Sequence, residues 1–550
     1  LSKNIVIQNG SDPVTYLNGV TRIRTELQGG GYCDWLPEDE VSSSGGSGDS
    51  GSSSSEVNLI EKTIVRNGQY DAALDDSASG YFKVNVSLPL GAKTISENGT
   101  FRASDDAFAG YSAVTVNVGT DYLGDTTEVA AFIERNVTSV SNSYVSKIAD
   151  YAFYSNSMIR SVDFPNVTEI GYNAFLGCTR LNSASFPIVN RIRASAFYNC
   201  YYVVPDFSNL NSIELDTFYG DLFSSINLPN VMTIGRSAFA LCTNLISAEF
   251  PALTSISAYA FYSCRNLKSI SAPELLYGSN YAFCNCTSLE TVYVPKLKSV
   301  YHHMFENCTK LTRIYCQSAS IIFDGAFSGC SSLTYLSIPS VTSVGGNAFR
   351  NCNYLESLDM PLTNTIATDA FNGCSLLSTI SAPMVSNIGA NAFSGCLTLN
   401  EISFPNIVSV NSNIFNLSTI KRIDLESATT INSYAFSGCS SLSILNIPKA
   451  TTVGSNAFRG CTSLTHMSFL SITSIGSYAF SGCTSLSSLY LLTSTIPSLY
   501  NINAFMNTPF SNSNYIGNYG SIYVLSSMVD SFVSANRWSA YSNRITAYVE

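Results

Sequence analysis

The chain has 550 residues, of which 12% are charged and 12% aromatic, and its formal net charge is −11. That balance argues against nucleic acid or an anionic membrane as partner, because both are bound through clustered Lys and Arg, and no basic run here exceeds a pair. Nothing approaches the ~20 apolar residues of a membrane span, so no membrane insertion is expected.

Residues 1–41 read as a small module of short apolar alternations with a compact segment, "GGGYCDWLPEDE", from Gly29 to Glu40. Its first apolar stretch is only Ile5 to Ile7, against roughly 7 to 15 residues in a secretory signal. Release without an export signal, for instance by lysis, is therefore the expectation. Residues 42–55 are an uninterrupted Ser/Gly tract that can bury nothing and reads as a flexible tether of about 20 Å reach.

Residues 56–119 hold two related segments, "NGQYDAALDDSASGYFKVNV" from Asn67 and "NGTFRASDDAFAGYSAVTVNV" from Asn98. Both run turn, aromatic, Asp pair, Gly-Tyr and Val-rich alternation, the pattern of tandem β-hairpin modules. The pairs Asp75/Asp76 and Asp105/Asp106 fit loop chemistry better than a calcium site, which needs 6 to 8 oxygens. Within 120–150, Thr127 as cap, Glu128 in the first turn and apolar Val129, Ala130, Phe132 and Ile133 predict a short helix over 127–135, serving as an N-terminal cap on the repeats that begin at residue 151.

Residues 151–500 are a repeat array. Sixteen phenylalanines from Phe153 to Phe480 recur at intervals of 21 or 22 residues, in the unit A-F-x-x-C-x-x-L-x-x-I-x-F-P-x-V-x-x-I. Thirteen cysteines fall three residues after a Phe, and Leu follows three later; Phe175–Cys178–Leu181, Phe327–Cys330–Leu333 and Phe480–Cys483–Leu486 show the core triplet. Apolar pairs spaced by two, such as Leu336 and Ile338, mark a short strand with one face inward. A Pro then ends it, a second apolar pair makes the return side, and the Gly in "SIGSYAF" is expected to turn the chain into the next Ala-Phe. Such units bury their apolar faces only against neighbours, so a stack of sixteen would extend about 80 Å as a rod. Residues 501–550 read as the C-terminal cap, with a strand at 522–525, a helix carrying Met528, Val529, Phe532 and Val533, and Trp538 and Tyr541 as plugs.

The stretch "IPSVTSVGGNAFRNCNYL" (Ile338 to Leu355) resembles the leucine-rich repeats of the BspA-like type, and the likeness runs through residues ~140–500. It implies a right-handed solenoid, mostly β with short helical and irregular segments, and a role in binding or adhesion, often on bacterial surfaces. The front, "LSKNIVIQNG", "GGGYCDWLPEDE" and "ISENGTFRASDDAFAGYSAVTVNV", resembles the N-terminal part of tailed-phage virion proteins. That likeness implies docking on other virion structural proteins through residues 1–41, with assembly in the host cytoplasm and release by lysis.

No catalytic or metal site and no cofactor is expected. The cysteine ladder offers no C-x-x-C pair, and its closest thiols, Cys284 and Cys286, are one residue apart; buried reduced Cys acting as a small hydrophobe accounts for it. His302, His303 and His466 assemble no triad or zinc motif and read as surface residues. The outward strand positions, eight and ten residues after each Phe, hold acids only at Asp163, Glu249, Asp359 and Glu401, too scattered for a glycosidase pair. The same columns gather Tyr293, Arg313, Tyr315 and Tyr335 into an aromatic and guanidinium patch, the side chains that dominate binding surfaces, against the bland reading of chance in a chain with 32 Tyr. The expectation is a non-enzymatic phage fibre or decoration whose solenoid binds a host-cell surface protein or glycan. A bacterial surface adhesin is the alternative, a polysaccharide-degrading tail enzyme a third reading, and homo-oligomerisation is left open.

Overall fold

The computed structural model describes residues 147–148, 150–201, 207–415, 418–511 and 519–549, Tyr335 by its backbone alone, and before residue 147 only the backbone of short strands. The chain divides into two compact units, Leu1–Ala272 and Pro273–Glu550.

In the first unit, strands Leu59–Val65, Tyr81–Ser87, Ala113–Val118, Val137–Ser141, Ser161–Asp163 and Ser183–Ser185 lie side by side in one parallel ladder. A second ladder runs through Glu128–Val129, Lys147–Ile148, Glu169–Ile170 and Arg191–Ile192. Beyond residue 207 the pattern resumes, with Ser225–Asn227, Ser247–Glu249 and Ser269–Ser271 on one side and Ser212–Ile213, Thr233–Ile234 and Ser255–Ile256 on the other.

These pairings correct two expectations. The long strands of 56–119 are not arms of tandem hairpins: they pair parallel, and only Tyr70–Asp71 folds back antiparallel on Leu59–Val65. The parallel stack thus begins well before residue 151. Leu59 and Tyr81, register partners, are 22 residues apart, so the alternating Val pattern serves a coil rather than a turn. The predicted helix over 127–135 is also replaced where the structure describes it. Glu128–Val129 is a strand paired with Lys147–Ile148, because its backbone groups complete the ladder that the next coil opens. Residues 130–136 and the Ser/Gly tract lie outside the described residues. Within 1–41, Ile23–Glu26 pairs with Tyr32–Trp35, while Val6–Gln8 pairs with Thr100–Arg102 on the far side of that tract.

The second unit repeats the same coil. Thr291–Tyr293, Arg313–Tyr315, Tyr335–Ser337, Ser357–Asp359 and Thr379–Ser381 form one parallel sheet, and Ser299–Val300 to Asn387–Ile388 form the opposite one. Between them the repeated Phe is fully buried and stacked on its neighbours, as in Phe349–Phe371 at 5.1 Å and 3°. The Phe N–H donates to the carbonyl just before the Phe of the next coil, most often an Ala, as Phe327 N does to Ala348 O at 2.8 Å, and in other coils Thr217, Met304 or Ile414. The ladder Cys donate their S–H backwards, in twelve coils of the thirteen by a bond like that of Cys330 Sγ to Phe305 O at 3.0 Å. The ladder cysteines are buried free thiols; loss of water pushes Cys396 and Cys439 up to about 12.

Two residues per coil take left-handed backbone, one two positions before the Phe and one two positions after, as Tyr478 (φ 56°) and Gly482 (φ 78°) flank Phe480. The turn into Ala-Phe is therefore made at Tyr478, not at the Gly of "SIGSYAF". Gly476 serves close packing instead: a Cβ there would lie 2.5 Å from Gly454 C.

The C-terminal segment continues the ladder through Ser521–Val524 and Ile545–Ala547. Between them helix Val529–Ser534 buries Phe532, and the following 3-10 turn, Trp538–Arg544, buries Trp538 and Tyr541. The plugs are polar-anchored: Trp538 Nε1 donates to Pro497 O at 2.8 Å, and the Tyr541 hydroxyl donates to Ile502 O. Phe505 extends the Phe column beyond the sixteen, stacked on Phe480 at 5.4 Å and 9°.

Candidate binding surface

A three-residue strand places its central side chain inward and the two flanking ones outward. Thr291–Tyr293 and Arg313–Tyr315 follow this rule, with Val292 and Ile314 buried and the outer residues exposed. Parallel pairing sets Tyr293 opposite Tyr315 and Thr291 opposite Arg313. The two phenol rings sit 5.8 Å apart, tilted by 59°, and remain 45% and 41% exposed. Arg313 lies two residues before Tyr315 on the same strand, exposed, and makes no salt bridge among the described residues. The backbone of Tyr335 lies in the adjacent strand, Tyr335–Ser337; its side chain lies outside the described residues. The core residues Phe175, Cys178, Leu181, Phe327, Cys330, Leu333, Phe480, Cys483 and Leu486 are all fully buried.

The tandem histidines occupy the opposite side of their coil. His303 stacks flat on Tyr281 at 4.8 Å and lies 3.0 Å from the Glu306 carboxylate. His302 packs against Phe323 at 4.8 Å, with Asp324 3.8 Å away. Asp163, Glu249, Asp359 and Glu401 are all exposed. Among the described residues no group of three or more His, Cys, Asp or Glu is placed to hold a metal ion, and no helix is long and apolar enough to cross a membrane.

Three features escaped sequence reading. Tyr490 and Tyr523 are register partners stacked at 4.8 Å and 12°, with Tyr548 edge-on at 5.9 Å. Tyr490 has the ten-residue offset from its Phe, but Tyr523 follows after an insertion that breaks the period. In the first unit Glu169 gathers Arg193 at 2.7 Å, Lys147 at 3.8 Å and Arg191 at 4.0 Å from neighbouring coils. Burial opposes ionisation of Glu169, but the Arg193 hydrogen bond and the three positive charges hold it below the usual carboxylate range. Finally, Asp221 takes the place of a ladder Cys, completely buried, and burial raises its carboxyl well above its ordinary value.

With this geometry in hand, the likeness to known proteins is specific. The family model for the BspA type leucine rich repeat region matches residues 92–204, 211–322, 298–421, 364–487 and 408–524. Among solved structures, a leucine-rich repeat protein from Bacteroides ovatus is 24% identical, covers 60% of this chain and 86% of its own, with a TM-score of 0.42. A leucine rich cell surface protein from Faecalibacterium prausnitzii is 22% identical over 65% of this chain and 92% of its own, with a TM-score of 0.31. A leucine-rich repeat protein from Eubacterium ventriosum is 20% identical over 60% and 86%, with a TM-score of 0.32. No curated protein matches the chain. Buried Phe and Cys columns between two parallel ladders, repeated through most of the matched residues, place this chain in the family of BspA-type leucine-rich repeat proteins.

Proposed function

We propose that this chain is a non-enzymatic binding protein, mounted on a tailed-phage particle as a fibre or decoration, whose strand face engages a surface protein or glycan of the host cell. The observation that carries the binding part is the Tyr293–Tyr315 pair, two rings in one register column, with Arg313 in the neighbouring column of the same strand face. Tyr paired on short strands costs little conformational entropy to hold in place, and Tyr with Arg is the usual composition of an interface hot spot. Replacing both Tyr293 and Tyr315 by Ser is expected to abolish most attachment to susceptible cells while the circular dichroism and melting profile stay unchanged. Attachment at the parental level would remove this patch as the binding surface.

The mounting on a particle rests on the resemblance of "LSKNIVIQNG" and "GGGYCDWLPEDE" to virion proteins, with residues 1–41 docking on other structural proteins. Mass spectrometry and immunogold labelling of purified particles test it. Detection on intact bacterial cells instead, with none in particles, selects the second reading, a BspA-type bacterial adhesin, with which family membership is consistent. Incubating the purified chain with capsular polysaccharide tests the absence of enzymatic activity: chain length of the polysaccharide is expected to stay constant.

A further inference from the structure

In the second unit, on the side opposite the strand face, one column of the ladder reads Asn432, Gly454, Gly476, Tyr500. Each N–H in it donates to the coil before: Gly454 N to Ile431 O at 2.7 Å, Gly476 N to Val453 O at 2.7 Å and Tyr500 N to Ile475 O at 3.0 Å. Register is therefore unbroken, and the two glycines leave two successive coils without a side chain at this position. Asn432 closes one rim, its amide Nδ2 donating down the column to Ser409 Oγ at 3.1 Å and Asn411 Oδ1 at 3.3 Å. Tyr500 closes the other rim and is 62% exposed. The rims are three coil spacings apart, about 14 Å.

The result is a cleft of about 260 Å³, with Asn432, Ser433, Thr452, Ser455, Ser474 and Tyr500 among its lining residues. Its volume lies just under the usual range for small-molecule sites. No lining residue carries a charge, which disfavours anionic and cationic ligands. Hydroxyls and an amide along the walls, with one exposed aromatic ring at the end, match the two faces of a sugar: polar edges and an apolar C–H face. Thr452 adds a buried hydroxyl oxygen with no hydrogen-bond partner in the protein, a group that ordinarily finds one.

We propose that this cleft binds a short neutral glycan of two or three sugar units, with Tyr500 stacking on a ring face and the Ser, Thr and Asn side chains bonding its hydroxyls. The site is separate from the Tyr293–Tyr315 face and does not depend on it. The test is saturation-transfer NMR and calorimetry of the full chain with cello-, malto- and chito-trisaccharides and a sulfated trisaccharide, using Tyr500→Ala, Ser433→Gln to fill the mouth, and the double variant Tyr293→Ser/Tyr315→Ser. Expected is binding of at least one neutral trisaccharide, weakened about tenfold or more by Tyr500→Ala and by Ser433→Gln and unchanged in the double variant. Tyr500 and Ser433 are not core residues, so melting curves should show both variants folded. Three results would overturn the proposal: no neutral saccharide binds, binding survives Tyr500→Ala, or the sulfated sugar binds best. Loss of binding in the double variant alone would also overturn it, by moving the sugar to the strand face.

Discussion

The backbone N–H of Cys200 donates to Asp221 Oδ1 at 2.7 Å, inside a column that in thirteen of sixteen coils holds a thiol. The other carboxyl oxygen of Asp221 is buried without a partner, and the titratable groups facing it are the thiols of Cys200 and Cys242. Among the described residues a carboxylate there has no counter-charge, so burial keeps the acid protonated. A proton held by the folded chain but released by the unfolded one ties stability to pH. The folded pKa is raised, so the stabilisation is complete below the unfolded value near 3.9 and is lost as pH rises through the folded value. Urea unfolding of the native chain is expected to show a falling midpoint from pH 4.5 to pH 8. Asp221→Cys, which restores the ladder thiol, should flatten that slope and raise stability at pH 8 by about 1–3 kcal/mol. An unchanged slope would show that Asp221 is ionised or solvated.

The ladder thiols stabilise as donors as well as by filling space. Cys330→Ala leaves Phe305 O without the 3.0 Å bond and opens a small cavity, and is expected to cost about 1–3 kcal/mol. Cys330→Ser keeps the donor and should lose less. Equal losses in chemical denaturation would assign the whole effect to packing.

Two glycines in one repeat should respond differently to alanine. At Gly476 the new Cβ would meet backbone of the neighbouring coil at 2.5 Å, so the coils must part and the loss should exceed about 3 kcal/mol. At Gly482 the nearest atoms are 3.7 Å away and only the left-handed φ of 78° is strained, a cost of about 1 kcal/mol. Melting temperatures of Gly476→Ala and Gly482→Ala compare the two directly.

Trp538 is the largest fully buried side chain among the described residues, packed on Phe505 at 6.1 Å and on Phe532 at 5.4 Å. Trp538→Ala is expected to destabilise by about 3–5 kcal/mol. Hydrogen exchange should localise that loss first to Ser521–Val524 and Ile545–Ala547, with coils nearer Thr291–Tyr293 keeping their protection.

Much of this molecule was legible because each coil repeats one decision. Phe, Cys and Leu at fixed offsets announce a buried column, and the exposure of Tyr293 and Tyr315 followed from strand alternation alone. Legibility failed where the period did. Thr127, Glu128 and Val129 satisfy helix-start chemistry locally, yet a ladder partner at Lys147–Ile148 decides the outcome, and that is a tertiary effect no short window contains. Phe505 follows Phe480 after 25 residues rather than 22, and Tyr523 follows Tyr490 after 33, so both columns continue past the point where counting stops. The cleft beside Tyr500 needed three coils in register before an absent side chain became a space. Asp221 reads as one polar residue among many until its burial is known.

The backward bond from each thiol to the preceding phenylalanine carbonyl has a practical corollary. A sulfur sealed in this way is silent to alkylating reagents until its own turn of the chain loosens. Twelve such positions, spread from Cys178 to Cys483, therefore amount to an internal ruler. Pulsed labelling followed by peptide mapping would report where along the chain opening begins and in which direction it spreads, with no engineered probe.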